Sequence, residues 1–283
     1  MDIGIIMFPT DTAIQPVALA KACEERGFES LWFPEHSHIP TSRETPWGGR
    51  AGAPPLPEEY WRTHDQFVAF AACAAVTSKL RLGTGITLVA QRDPIWLAKE
   101  VASLDMISGG RFELGIGYGW CVEEMRNHKL DFKQRREILR DNMLLMRELW
   151  TKEEASYTGG HINFEKSWAY PKPTQKPYPP IVMGGAAGPK TADHIAEFCT
   201  GWMPIGGMYD FDGGLKEVHA ACKRRGRDPS EITLGMFFAM APEGDDPLKG
   251  LADKGVTRAI FPVPAAKADV VLPLLDKYAK YIG

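Results

Sequence analysis

The chain has 283 residues, of which 44% are hydrophobic and 24% charged, with a net charge of −3; this supports a large core and excludes a disordered chain. The mildly acidic balance argues against a nucleic-acid binder, which needs a basic face. No basic segment precedes a long apolar stretch after Met1, and no apolar run is long enough to span a bilayer, so a cytoplasmic protein away from membranes is expected.

Short apolar runs alternate with longer amphipathic ones. Residues 3–8 form the first expected strand and 16–26 the first helix, opened by Pro16 and closed by Gly27. The second strand falls at 30–34. Residues 37–61 are rich in Gly and Pro and lack periodicity, so a long loop is expected there, followed by an Ala-rich helix at 63–77. The third strand is expected at 80–89 and the third helix at 94–107, with Pro94 in its first turn. A fourth strand at 111–117 leads through a short linker to a helix at 133–150, where Ile138, Leu145, Met146 and Leu149 share a face. Residues 154–168 read as a β-hairpin around Gly159-Gly160, an excursion from the main pattern. Strand 181–184 and helix 189–198 follow. Strands at 201–205, 232–240 and 258–263 then alternate with helices at 215–225, 246–254 and 266–281.

Strict strand–helix alternation calls for a parallel sheet, and eight units close it into a (β/α)8 barrel. The expectation is therefore one α/β domain over residues 1–283, with insertions near 37–61 and 154–168. No Gly-x-Gly-x-x-Gly follows the first strand, which weakens an open Rossmann sheet. Five scattered cysteines, Cys23, Cys73, Cys121, Cys199 and Cys222, include no CxxC spacing and read as reduced thiols.

In such a barrel the chemistry gathers at the C-terminal strand ends. The second strand ends in Pro34-Glu35-His36-Ser37-His38. His36 suits proton transfer or contact with an anionic ring atom, or it simply caps the strand. Glu35 could orient the imidazole or carry a proton, or it is a solvated carboxylate. The His36-x-His38 pair also invites a metal reading, but His64, His128, His161, His194 and His219 all lie away from expected strand ends, so no metal site is expected. The third strand ends Gly83-Thr84-Gly85-Ile86-Thr87, and the fourth Gly115-Ile116-Gly117-Tyr118-Gly119-Trp120. The fifth runs Gly184-Gly185-Ala186-Ala187-Gly188 into a helix opened by Pro189, followed by Lys190. Glycine admits a flat ring or a phosphate close to the backbone, and a helix N-terminus attracts a phosphate; an ordinary tight βα turn is the alternative.

At these residues the chain resembles the luciferase-like monooxygenase superfamily, and within it the branch of coenzyme F420-dependent oxidoreductases. The resemblance runs through Leu80–Val89, Asp93-Pro94, Ala98-Lys99-Glu100, Leu104-Asp105, Ser108-Gly109-Gly110-Arg111-Phe112, Gly115-Ile116-Gly117 and Gly119-Trp120. It continues at Arg135-Arg136, Glu148-Leu149-Trp150 and Gly201-Trp202. It implies a (β/α)8 barrel with a flavin or deazaflavin ring in its mouth. It also implies a cis peptide at Gly85-Ile86 in a bulge that backs the ring. His36, and with it Glu35, match ring-contacting positions, and Gly184 to Gly188 match the segment that holds the cofactor phosphate. Thr84, Gly117, Tyr118, Gly119 and Trp120 complete the implied cofactor site. Sugar-phosphate dehydrogenases of this superfamily carry a glutamate acid where this chain has Trp120, and relatives often have Asn where it has Cys121. A sugar-phosphate dehydrogenase is therefore not expected, and Trp120 is left to shape the pocket or to pack on an insertion.

Trp47, Tyr60 and Trp61 in the long loop suit a lid over an apolar or planar substrate, or packing on the rim or a dimer contact. Three functions stay open: F420-dependent hydride transfer with a small organic substrate; a monooxygenase using flavin mononucleotide (FMN) and supplied by a separate reductase; and a non-catalytic flavin-binding protein. The resemblance favours the first, in a homodimer.

Overall fold

The structure is a computed structural model that describes residues 1–240 and 247–283. In chain order it contains β1 (Asp2–Ile6), α1 (Pro16–Glu25), β2 (Ser30–Phe33), α2 (Glu59–Arg62), α3 (Gln66–Ala74), β3 (Arg81–Thr84), α4 (Pro94–Ile107) and β4 (Phe112–Ile116). Next come α5 (Val122–Asn127), α6 (Arg135–Thr151), β5 (Ala155–Thr158), β6 (Asn163–Ser167), β7 (Ile181–Gly184), α7 (Pro189–Phe198), β8 (Gly201–Met203) and β9 (Ile205–Gly206). The chain ends with α8 (Phe211–Arg224), β10 (Thr233–Phe238), β11 (Val256–Pro262) and α9 (Ala268–Tyr278). Among the described residues no helix is long and apolar enough to cross a membrane.

The parallel strands run in the order β11-β1-β2-β3-β4-β7-β8-β10, and β10 pairs back onto β11 to close an eight-stranded barrel. β9 resumes β8 beyond Pro204 and pairs with β10. The antiparallel β5–β6 hairpin lies outside the barrel sheet, where the Gly159-Gly160 turn indicated it.

Alternation along the strands fills the barrel. In β2, Trp32 belongs to an interior cluster with Val182, Met203, Phe237 and Ile260, while Phe33 stacks on Phe70 of α3 at 4.4 Å in the outer core. Gly83 makes room for Trp32: a Cβ there would lie 2.5 Å from the indole. At the N-terminal end of the barrel, Glu113 pairs with Arg81 at 2.5 Å and with Arg258 at 2.8 Å, and Arg258 also reaches Glu29 at 2.5 Å. Burial alone would raise the Glu113 carboxyl; the two guanidinium groups outweigh it and hold the carboxyl below the usual range.

Pro and Asp punctuation fixes several helix starts. Pro16, Pro94 and Pro189 open α1, α4 and α7, and Asp93 caps α4 by accepting the Ile95 and Trp96 N–H groups at 3.0 and 2.9 Å. Asp65 accepts the Val68 N–H, so α3 starts three residues later than the expected 63. Asp210 likewise starts α8 at Phe211, ahead of the expected 215, because its cap outweighs Gly213-Gly214. Of the helix expected at 246–254, Asp246 lies outside the described residues, and the remainder is turns and a single 3-10 turn at Ala252–Lys254. The linker before α6 holds a helix that the sequence pattern does not reveal, α5.

Candidate functional site

The third strand was expected to run to residue 89; it leaves the ladder at Thr84. Thr84 Oγ1 donates to the Gly115 carbonyl at 2.7 Å, and the Thr87 N–H donates to the same oxygen at 2.8 Å. With both flanks clamped to one carbonyl, Gly85 and Ile86 bulge out of the ladder, joined by the cis peptide that the resemblance implied. A Cβ at Gly117 or at Gly184 would come within 2.7 Å of the Ile86 side chain. These two glycines therefore seat Ile86, and the half-buried Gly85-Ile86 pair forms a small platform at the barrel mouth.

His36 stands beyond the end of β2 and is 9% exposed. Its Nδ1 lies 2.8 Å from Oε2 of Glu124, a fully buried residue of α5. The other Glu124 oxygen accepts the Ser37 N–H at 3.0 Å. Burial alone would raise the Glu124 carboxyl, but the hydrogen bond and charge of His36, with the Ser37 N–H, hold it below the usual carboxylate range. An ionised carboxylate only accepts, so His36 donates from Nδ1, and in the neutral imidazole Nε2 is the atom that carries the free lone pair.

Glu35 is engaged elsewhere. It accepts the Leu88 N–H at 2.7 Å and Arg92 Nε at 2.6 Å, and Arg92 also pairs with Asp65 and Glu100. The Glu35 carboxylate thus braces the turn that follows the platform. Thr84 is likewise spent on the Gly115 carbonyl.

An aromatic wall flanks His36. The ring of Trp120 lies 5.5 Å away, edge on, and that of Tyr60 at 5.2 Å; Trp47 meets Tyr60 at 5.7 Å. The Arg43 guanidinium lies 5.7 Å from the Trp120 ring, so Trp120 packs on the 37–61 insertion as well as beside His36. That insertion is tied down by Glu123, which accepts the Glu44 and Thr45 N–H groups at 3.0 and 3.1 Å. Burial opposes ionisation of Glu123, but the Thr45 hydroxyl, together with these backbone bonds, brings its pKa down to about 2. Gly119, at φ +73°, turns the chain toward α5 in a conformation that side chains resist. Burial pushes the Cys121 thiol up, so it stays protonated and unreactive.

The Gly184–Gly188 segment forms an open cradle. Gly185 has φ +88°, and a Cβ placed on Gly185 or on Gly188 would meet no atom within 4 Å. The Gly185 carbonyl accepts Trp202 Nε1 at 2.9 Å, Ala187 is buried, and Ala186 and Gly188 are exposed. Gly188 caps α7 without a side chain, so the first-turn N–H groups are available to an anion. Tyr118 lies against α6 and α7, its hydroxyl 2.8 Å from His194 Nδ1 and the Arg136 guanidinium 4.8 Å from its ring. Lys190 is exposed and pairs with Glu137 at 3.6 Å.

The imidazoles of His38 and His128 lie 5.6 Å apart and share the Ser37 hydroxyl. Among the described residues, no group of three or more His, Cys, Asp or Glu is arranged to hold a metal ion.

The residue that sequence reasoning missed is Glu124. Its signal was the acidic pair Glu123-Glu124 just past the fourth strand end, where any barrel aims its side chains at the mouth.

The sequence profile of the luciferase-like monooxygenase family matches residues 9–247. An uncharacterized protein of Mycobacterium tuberculosis is 37% identical over 99% of this chain and 98% of its own length. An F420-dependent hydroxymycolic acid dehydrogenase of the same organism is 29% identical over 86% of this chain and 63% of that protein. In structure, a monooxygenase from Streptomyces bottropensis superposes with a TM-score of 0.80 at 20% identity, covering 100% of this chain and 98% of that one.

Proposed function

The chain belongs to the luciferase-like monooxygenase family, and on that footing we propose that it is an F420-dependent oxidoreductase moving hydride to or from a small organic substrate. The deazaflavin, when bound, supplies the two-electron hydride chemistry. The residues present fit such a group. Gly85 and Ile86 would back its ring, and the Gly185–Gly188 cradle at the N-terminus of α7 would hold its phosphate, since a side chain at either glycine would fill that open space.

The observation that carries the reading is the His36–Glu124 pair. Hydride transfer at an alcohol or carbonyl carbon needs a partner for the oxygen-bound proton. His36 supplies that partner at Nε2, because Glu124 fixes its proton on Nδ1. Trp120 and Tyr60 shield the imidazole from bulk water. Glu35 acts through the turn it braces, as a positioning residue. The 29% identity to an F420-dependent dehydrogenase supports deazaflavin over flavin.

Titration of the purified protein with oxidised F420 and, separately, with FMN tests this, read by quenching of tryptophan fluorescence. Saturation by F420 alone is expected. Saturation by FMN alone, with oxygen uptake when reduced flavin comes from a separate reductase, would replace the reading by a monooxygenase; binding of neither would end it. A cytoplasmic homodimer belongs to the same proposal. Val68 on α3 and Trp96 on the adjacent α4 are 73% and 69% exposed, an apolar face suited to a second copy.

A further inference from the structure

Two cavities open beside the aromatic wall, and the side chains that line them differ. One, of about 350 Å³, is lined by polar groups including His36, Glu35, Ser37, His64, Arg92 and His128. The other, of about 410 Å³, lies between the mouth-side ends of β1, β10 and β11, the 47–60 part of the insertion, and α9. Ile6, Met7, Phe8, Trp47, Tyr60 and Val263 form its inner walls. The one charged group among the described residues that line it is the carboxylate of Glu59; no Lys, Arg or His takes part.

We propose that this second cavity holds the hydrocarbon portion of the substrate, so that the chain acts on uncharged molecules with an extended apolar part and not on phosphorylated or polycarboxylate compounds. The inference rests on the oxidoreductase reading for the reaction, but the cavity and its lining stand apart from the cofactor.

Position gives the first argument. The inner end of the cavity reaches the platform: a Cβ on Gly85 would lie 3.0 Å from Ile6 Cδ1. Tyr60, in the same lining, is the ring beside His36. The outer end is formed by half-buried Leu274 of α9 and by Met240, which is 74% exposed, while Tyr278 of the same helix is buried at its wall. The slot therefore leads from beside the platform, with Tyr60 standing between it and His36, to the molecular rim, as needed for a molecule whose reacting head lies at the platform and whose tail points outward.

Charge gives the second argument. An anion placed in this slot would lose water without gaining a cationic partner and would face the Glu59 carboxylate. An apolar tail gives up rotational freedom but needs no cationic partner, and it gains in proportion to the area it buries, about fourfold in affinity for each methylene that becomes fully buried. The volume lies within the range of small-molecule sites. The wall is also fixed in place, because Glu123 holds the insertion at Glu44 and Thr45.

Isothermal titration calorimetry of the cofactor-free protein with hexan-1-ol, octan-1-ol and decan-1-ol tests the proposal. Kd is expected to fall by about fourfold per methylene, and glucose 6-phosphate should not displace the alcohol. Leu274→Trp, which fills the outer end, should weaken decan-1-ol at least tenfold and hexan-1-ol much less, with the thermal transition checking that the variant is folded. Affinity independent of chain length in the natural protein, displacement by the sugar phosphate, or undiminished decan-1-ol binding to folded Leu274→Trp would each overturn the slot. Chain-length dependence with neither F420 nor FMN binding would leave the slot standing and overturn the cofactor reading. F420 binding without chain-length dependence would do the reverse.

Discussion

Replacing Glu124 by Gln tests the site at its centre. The carboxylate accepts from two fixed donors, His36 Nδ1 at 2.8 Å and the Ser37 N–H at 3.0 Å. A glutamine has one acceptor oxygen. The Ser37 N–H cannot change its nature, so the amide oxygen must face it and the amide NH2 must face His36. Nδ1 then becomes the acceptor, and the imidazole proton moves to Nε2, the atom that was free. The variant keeps its shape but loses a charge-assisted bond between two buried groups, worth about 1.5–3 kcal/mol. At about 1.4 kcal/mol per tenfold, this corresponds to roughly a 10- to 150-fold loss in a step that needs the free Nε2. The direct assay is nitrogen NMR of the His36 ring at neutral pH. It should show the proton on Nδ1 in the natural protein and on Nε2 in Glu124→Gln, with urea unfolding reporting the stability loss. A ring that keeps its Nδ1 proton in the variant, at unchanged stability, would refute the assignment of Glu124 as the group that orients His36.

Other substitutions probe the scaffold. Glu113→Ala leaves Arg81 and Arg258 facing each other beneath Trp32, and should lower unfolding stability by about 3–5 kcal/mol in urea, as breaking a buried ion pair does. Because the folded pKa of Glu113 lies below its unfolded value, its contribution is complete above about pH 4.3 and drains away as the pH falls further; the urea midpoint of the natural protein should drop more steeply on acidification than that of Glu113→Gln. Gly185→Val forces a branched side chain to φ +88° and into the cradle, and should weaken F420 binding at least tenfold in the fluorescence titration. Trp96→Asp places a charge on the exposed face of α4, and if the proposed homodimer forms through this face, light scattering should show dimer for the natural protein and monomer for the variant.

The regular parts of the fold were legible because single residues declare them. The bounds of α4, α7 and β7 follow from Pro94, Pro189 and the flanking glycines, and eight alternating units leave little choice but a barrel. What the sequence hid was decided by distant partners. β3 reads as a strand through Val89 because Ile86, Thr87, Leu88 and Val89 have strand-like side chains. It ends at Thr84 because the Gly115 carbonyl captures both Thr84 and Thr87, and that carbonyl comes from another strand. α5 has six residues, too few to show a hydrophobic period. Glu35 and His36 are adjacent and looked alike as candidates. Only the positions of Arg92 and Glu124, 57 and 88 residues further along, separate the brace Glu35 from His36, the proposed proton-handling group.

That separation gives α5 a larger part than its length suggests. Successive helical residues point about 100° apart, so the neighbours Glu123 and Glu124 serve different sides of one short helix. Glu123 holds the insertion that carries Trp47 and Tyr60, and Glu124 holds His36. The wall of the apolar slot and His36 are therefore fixed to the same short helix. Trp120 packs against the insertion, and the Glu124 carboxylate four residues on bonds His36. In the proposed reaction this arrangement holds the proton-handling Nε2 beside the rings of Trp120 and Tyr60, next to a slot whose side chains offer an anion no cationic partner.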